Sequence, residues 1–137
     1  MARAIEGTSG RKHGDNGLVR VAKSVWFNLD NGSGTTIDDV IMKHPKAITI
    51  ISAQIVYVDA TTGTVAGGNA KLGTTVGGAD IVAATAYGDT KAVGTSTSMT
   101  VLAPKVAAGT SIFCRHTGVA ATQAGQAYVE VYYSVDK

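Results

Sequence analysis

Residues 126–135 read Gln126-Ala127-Tyr128-Val129-Glu130-Val131-Tyr132-Tyr133-Ser134-Val135, and their alternation decides the fold class. Val129, Val131, Tyr133 and Val135 fall on one side of an extended chain, while Tyr128, Glu130, Tyr132 and Ser134 fall on the other. A period of two held over this length describes a strand with an apolar face on a core and a semi-polar face outside.

Working back from this strand, two more are predicted at Ser98–Ala103 and Thr110–Thr117, with Gly109, Gly118 and Gly125 as the breaks between them. The most apolar segment runs from Ala47 to Asp59 and starts after Pro45, which cannot donate to a ladder. Strict alternation puts Ile48, Ile50, Ser52, Gln54, Val56 and Val58 on one face and Thr49, Ile51, Ala53, Ile55 and Tyr57 on the other. Both faces are apolar enough to need cover from a second sheet or a partner subunit. Leu18–Asn28 reads as another strand, with Val19, Val21, Lys23, Val25 and Phe27 facing one way and Trp26 the other. It ends at the turn Asp30-Asn31-Gly32-Ser33-Gly34. A short strand is predicted at Lys71–Thr75, before Gly77-Gly78. Two windows read differently: Thr36–Lys43 fits either a helical turn or a strand, and Asp80 is placed to cap a short helix over Ile81–Ala86, stopped by Gly88.

Composition agrees with a β fold. Val, Ile and Thr make up 42 of the 137 residues, whereas Leu, Glu and Gln together supply only nine, which excludes a helical bundle. The expected architecture is therefore an all-β β-sandwich, with jelly-roll topology the first choice, six or seven strands and at most one short helix. One domain is expected over residues 18–137, preceded by a flexible basic arm at 1–17 that carries Arg3, Arg11, Lys12 and His13 among four glycines.

Charge and motif content narrow the function classes. With a net charge of +2 and 16% charged residues, the chain lacks the clustered basic character that would make nucleic acid the obvious partner. The start Met1-Ala2-Arg3-Ala4-Ile5-Glu6 has no apolar signal region, and Ile48–Val58 is too short to span a bilayer as a helix, so a protein made in the cytoplasm, with no membrane partner, is expected. The single Cys114 forms no internal disulfide and offers no paired-cysteine zinc site. Cys114 and His116 share one face of a predicted strand at roughly 7 Å, long for a nucleophile and its base; a small buried Cys beside a His at the rim is the expected arrangement. Asp38-Asp39 and Asp30-Asn31-Gly32 supply oxygen ligands but depart from the spacing of a calcium loop. Gly73-Thr74-Thr75-Val76-Gly77-Gly78 has neither the Gly-Lys-Ser/Thr of a phosphate loop nor a long following helix. No catalytic residue, cofactor or metal ligand is expected. Ile51, Ile55 and Tyr57, with Tyr128 and Tyr132, are the candidate oligomer-interface residues, since closed symmetry is an economical way to cover apolar faces.

The stretches Lys71-Leu72-Gly73-Thr74-Thr75-Val76-Gly77-Gly78-Ala79-Asp80-Ile81-Val82-Ala83, Val106-Ala107-Ala108-Gly109-Thr110-Ser111-Ile112 and Ala124-Gly125-Gln126-Ala127-Tyr128-Val129-Glu130-Val131-Tyr132-Tyr133 resemble the small β-sandwich decoration, or cement, proteins of tailed-bacteriophage heads. The resemblance covers about the C-terminal half and is one of pattern. It implies a structural virion protein, not an enzyme, that binds the outer capsid surface, often as a homotrimer, with the major capsid protein as partner. On that reading Arg3, Arg11, Lys12 and His13 are candidate capsid contacts. The alternatives are a head- or tail-fibre domain and a carbohydrate-binding sandwich, for which Tyr128 and Tyr132 on one face are the best support.

Overall fold

The computed structural model describes residues 18–30, 32, 34–61, 68–88, 90–119 and 125–136. Among the described residues ten strands run in order: β1 (Arg20–Lys23), β2 (Phe27–Asn28), β3 (Thr36–Lys43), β4 (Ile48–Tyr57), β5 (Asn69–Gly73), β6 (Val82–Ala86), β7 (Ser96–Met99), β8 (Lys105–Val106), β9 (Ser111–Thr117) and β10 (Gln126–Val135). They form two antiparallel sheets. The larger has the order β1-β10-β4-β7, with β2 also against β10 and β8 against β4; the smaller has the order β3-β9-β5-β6. The two sheets pack face to face as a β-sandwich, and the described residues contain no helix.

The core lies between the sheets. From the larger sheet come Phe27, Ile48, Ile50, Ala53, Ile55, Tyr57, Val129, Val131, Tyr133 and Val135, all buried; from the smaller come Ile41, Ala70, Leu72, Val82, Ile112 and Cys114. Each fully buried Val, Leu or Ile contributes roughly 1.5–3 kcal/mol relative to leaving it in water. The strand β10 has its expected bounds and facing. Its pairing with β4 is the longest among the described residues, from Ala127↔Tyr57 to Val135↔Ile48.

Three differences from the sequence reading have identifiable causes. The facing of β4 is not constant: Ile48 and Ile50 point inward, and so do Ala53, Ile55 and Tyr57. A β-bulge causes the switch, for Tyr133 pairs with Ile50 and Tyr132 with Ser52, which leaves Ile51 unopposed and exposed. The N-terminal strand is likewise broken. Ser24 turns inward, where its N–H donates to Val129 O and its Oγ accepts from Val129 N. Val21 therefore stays at the surface while Phe27 enters the core. The helix expected over Ile81–Ala86 is instead β6. Ile81 and Val82 are buried, β6 pairs with β5, and Ala83 N donates to Thr100 O, so burial between two strands outweighs alanine's helix propensity. Asp80 does not cap a helix; its carboxylate accepts from Thr74 N and Oγ1 and closes the 74–80 loop. Thr36–Lys43 is settled as the edge strand β3.

Candidate interaction face

The outer surface of the larger sheet gathers the polar and aromatic side chains that the core does not use. Its register sets them in rows across the strands. Val21 of β1 lies opposite Tyr132, which lies opposite Ser52; Lys23 lies opposite Glu130, which lies opposite Gln54; Tyr128 lies opposite Val56. Glu130 is the hinge of the middle row. Its Oε1 accepts from Gln54 Nε2 at 2.7 Å and from the Tyr132 hydroxyl at 2.8 Å, and Lys23 Nζ stands 4.0 Å from Oε2. This network satisfies an almost fully buried carboxylate. It also holds the Tyr132 phenol above its ordinary pKa, because ionisation would end the donation to Glu130.

Beside this row the aromatic pair forms. The rings of Trp26 and Tyr128 are 6.4 Å apart and inclined by 14°, and Lys23 Nζ stands 5.4 Å from the centre of the Tyr128 ring. Trp26 is 62% exposed, and along the same segment Leu18, Val19, Val21 and Val25 are each 45% exposed or more. Half of the large apolar side chains exposed among the described residues thus fall between positions 18 and 26. A sheet margin this apolar is unusual for a surface facing only water.

The smaller sheet presents a different surface. Arg115 Nε and Nη2 donate to the two carboxylate oxygens of Asp38 at 2.7 and 2.8 Å, which holds the Asp38 carboxyl below its ordinary pKa. Asp39 is occupied too, its Oδ2 accepting from Val25 N at 2.9 Å. These aspartates tie β3 to its neighbours, and no group of three or more His, Cys, Asp or Glu side chains converges among the described residues.

The thiol and imidazole lie closer than strand spacing alone implies. Cys114 Sγ is 3.4 Å from His116 Nε2, because both side chains lean together inside the sandwich. His116 is not at a rim: it is 1% exposed, its ring stacks on Phe27, and its Nδ1 has no partner among the described residues. Burial pushes the thiol pKa up and lowers that of the imidazole to about 3. Nucleophilic activation needs thiolate and imidazolium, and this enclosure opposes both charges.

The topology is matched in a phage particle. The chain has a fold similar to that of a chain in the cyanophage Pam1 capsid asymmetric unit, with a TM-score of 0.58, 19% identity, and coverage of 93% of this chain and 91% of that one. No protein-family model matches the sequence, and no curated protein does. At this identity the likeness shows the fold.

Of the surface residues expected to mediate assembly, Ile51 is exposed at the bulge, and Tyr128 and Tyr132 line the outer face. Ile55 and Tyr57 are 0% exposed; the bulge that frees Ile51 turns both into the chain's own core. Arg3, Arg11, Lys12 and His13 lie outside the described residues. Trp26 emerges as the focus of the face. The sequence signal for it is the pair Trp26-Phe27, two bulky aromatics that a strand must send to opposite sides.

Proposed function

We propose that this chain is a structural component of a tailed-phage virion that binds the outer surface of the capsid and stabilises the shell by clamping neighbouring coat subunits. The observation that carries the proposal is the likeness to a capsid chain over nearly the whole length, 93% of this chain and 91% of the other. That extent argues for a comparable module and not for a local motif in a larger fold. Supporting it is the sequence texture of decoration proteins described above, together with the enclosure of Cys114 and His116 in the core and the structural hydrogen bonds of Asp38 and Asp39. The sheet orders β1-β10-β4-β7 and β3-β9-β5-β6 support the jelly-roll form of the sandwich, since consecutive strands repeatedly cross between sheets.

A homotrimer is the assembly proposed, with Ile51, Tyr128 and Tyr132 as self-contact candidates and the basic residues Arg3, Arg11, Lys12 and His13 reaching the coat. A protein that binds only the assembled shell stabilises it by mass action, by an amount set by affinity and concentration. Calorimetry of shells with and without saturating protein tests this. The melting transition of the shell rises on addition if the proposal holds; an unchanged transition at saturating protein contradicts the stabilising role.

A further inference from the structure

The apolar margin of the larger sheet is the part of the surface that the fold itself leaves unexplained. The strand β1 is the end strand of its sheet, with β10 on one side and no strand on the other among the described residues. Such an edge presents a row of backbone N–H and C=O groups, and soluble proteins normally blunt it with charge, proline or cover. Here Lys23 and Arg20 are the only charges on the strand, and Leu18, Val19, Val21, Val25 and Trp26 are all exposed along or just beyond it. None of these five side chains belongs to the buried core.

Charge selects the kind of partner. Through the end of β2, residues 1–28 contain Arg3, Arg11, Lys12, Arg20 and Lys23 against Glu6 and Asp15, while the remaining 109 residues contain seven Lys or Arg and eight acidic side chains. The positive charge is therefore concentrated on the segment that forms this edge and leads into it. A second copy docking edge to edge would bring two such segments together, a like-charge arrangement that costs affinity. A partner strand with acidic side chains gains from the same charges and from the apolar contacts.

We infer that the β1 edge, with Leu18, Val19, Val21, Val25 and Trp26, docks an extended acidic segment of the coat protein, which adds as a strand to the larger sheet. This rests on the capsid-surface reading. The backbone edge of β1 supplies the ladder and stops short of Val25, whose N–H is already given to Asp39 and whose carbonyl accepts from Ser24; the alternate side chains Val19 and Val21 supply apolar contact, and Trp26, backed by Tyr128, is the anchor past the end of the strand. The excess of basic over acidic residues in positions 1–28 supplies the charge that favours an acidic segment.

The test is quantitative pelleting of the full chain with purified shells that lack it, across a salt series, for the unaltered protein and for Val21→Glu, Trp26→Ser and Leu102→Glu. Leu102 is equally exposed but lies beyond β7, at the opposite side of the sheet. All three positions are at the surface, and circular dichroism with a thermal melt verifies that each variant folds. The expected result is binding that weakens as salt rises, a loss of about tenfold or more for Val21→Glu and Trp26→Ser, and unchanged binding for Leu102→Glu. Equal binding by all four proteins overturns the docking edge and leaves the capsid reading intact. Failure of the unaltered protein to pellet overturns both. Loss of self-association in place of shell binding, measured by light scattering, assigns the edge to a second copy and overturns the inference. A shift of Trp26 emission with oligosaccharides, accompanied by shell binding that Trp26→Ser leaves intact, assigns the face to glycans and does the same.

Discussion

The imidazole of His116 lies flat against the ring of Phe27, with centroids 3.5 Å apart and planes inclined by 22°. The contact joins β9 of the smaller sheet to β2 of the larger, so it spans the two layers at the heart of the sandwich. A neutral imidazole is at home there, and a charged one is not.

Acid stability follows from that placement. Desolvation lowers the folded-state pKa of His116 from 6.5 to about 3, against a weaker pull from Asp38 in the other direction. Below 6.5 the unfolded chain takes up a proton that the folded chain refuses, so folding stability falls as pH drops from 6.5 towards 3 and is fully present above that window. The slope from this one group is about 1.4 kcal/mol per pH unit at most. Chemical denaturation at pH 7, 6, 5 and 4 measures it. The slope between pH 6 and 5 is expected to shrink in His116→Met; an identical slope in the variant removes His116 as its source.

Cys114 should be inert in the folded protein. Its side chain is 0% exposed, and burial, with the nearby Asp39 and Asp38 charges, raises its pKa. Titration with an aromatic disulfide reagent is expected to show no accessible thiol in buffer and one after unfolding in guanidinium. Stoichiometric reaction within minutes in buffer contradicts the burial.

Tyr57 is a core residue whose hydroxyl is fully used. It accepts from Gly88 N at 2.6 Å and shares a hydrogen bond with Thr97 Oγ1 at 2.7 Å. Tyr57→Phe keeps the packing but strands the Gly88 amide, with an expected loss of about 1–3 kcal/mol. A denaturation midpoint equal to that of the unaltered protein argues against those bonds.

Gly68 is required by a close approach. A Cβ at this position would fall 2.5 Å from Val119 Cγ1 and 2.7 Å from the Tyr87 ring. Tyr87 has little freedom to give way, since its hydroxyl donates to Asn69 O and its ring packs against Phe27. Gly68→Ala is expected to cost about 1–3 kcal/mol through overpacking, read as a lowered thermal midpoint. An equal or higher midpoint means that the ring is freer to move than this geometry implies.

The particular residues show how far sequence alone carries. Along β10 the alternation from Val129 to Val135 is unbroken, so its facing was readable position by position. Along β4 the same logic holds as far as Ile50 and then inverts, because a bulge adds one residue that no local pattern marks. That single residue decides that Ile55 and Tyr57 belong to the core and Ile51 to the surface. In the same way, Ser24 pairing with Val129 redirects Val21 and Phe27 to opposite sides, a long-range contact invisible in residues 18–28 by themselves. The strand β6 was hidden by alanine, whose propensity favours helix while the surrounding strands impose pairing. The surface face was legible only in part: Tyr128 and Tyr132 stood out by spacing, whereas the prominence of Trp26 depends on the break beside it.

The central claim is that this chain binds an assembled phage shell. Its most direct test is cosedimentation of the purified 137-residue chain with capsids lacking it, at a fixed shell concentration and increasing protein. The account predicts saturable pelleting at a fixed number of copies per shell, with no pelleting in the absence of shells. Protein that stays in the supernatant at every concentration contradicts it.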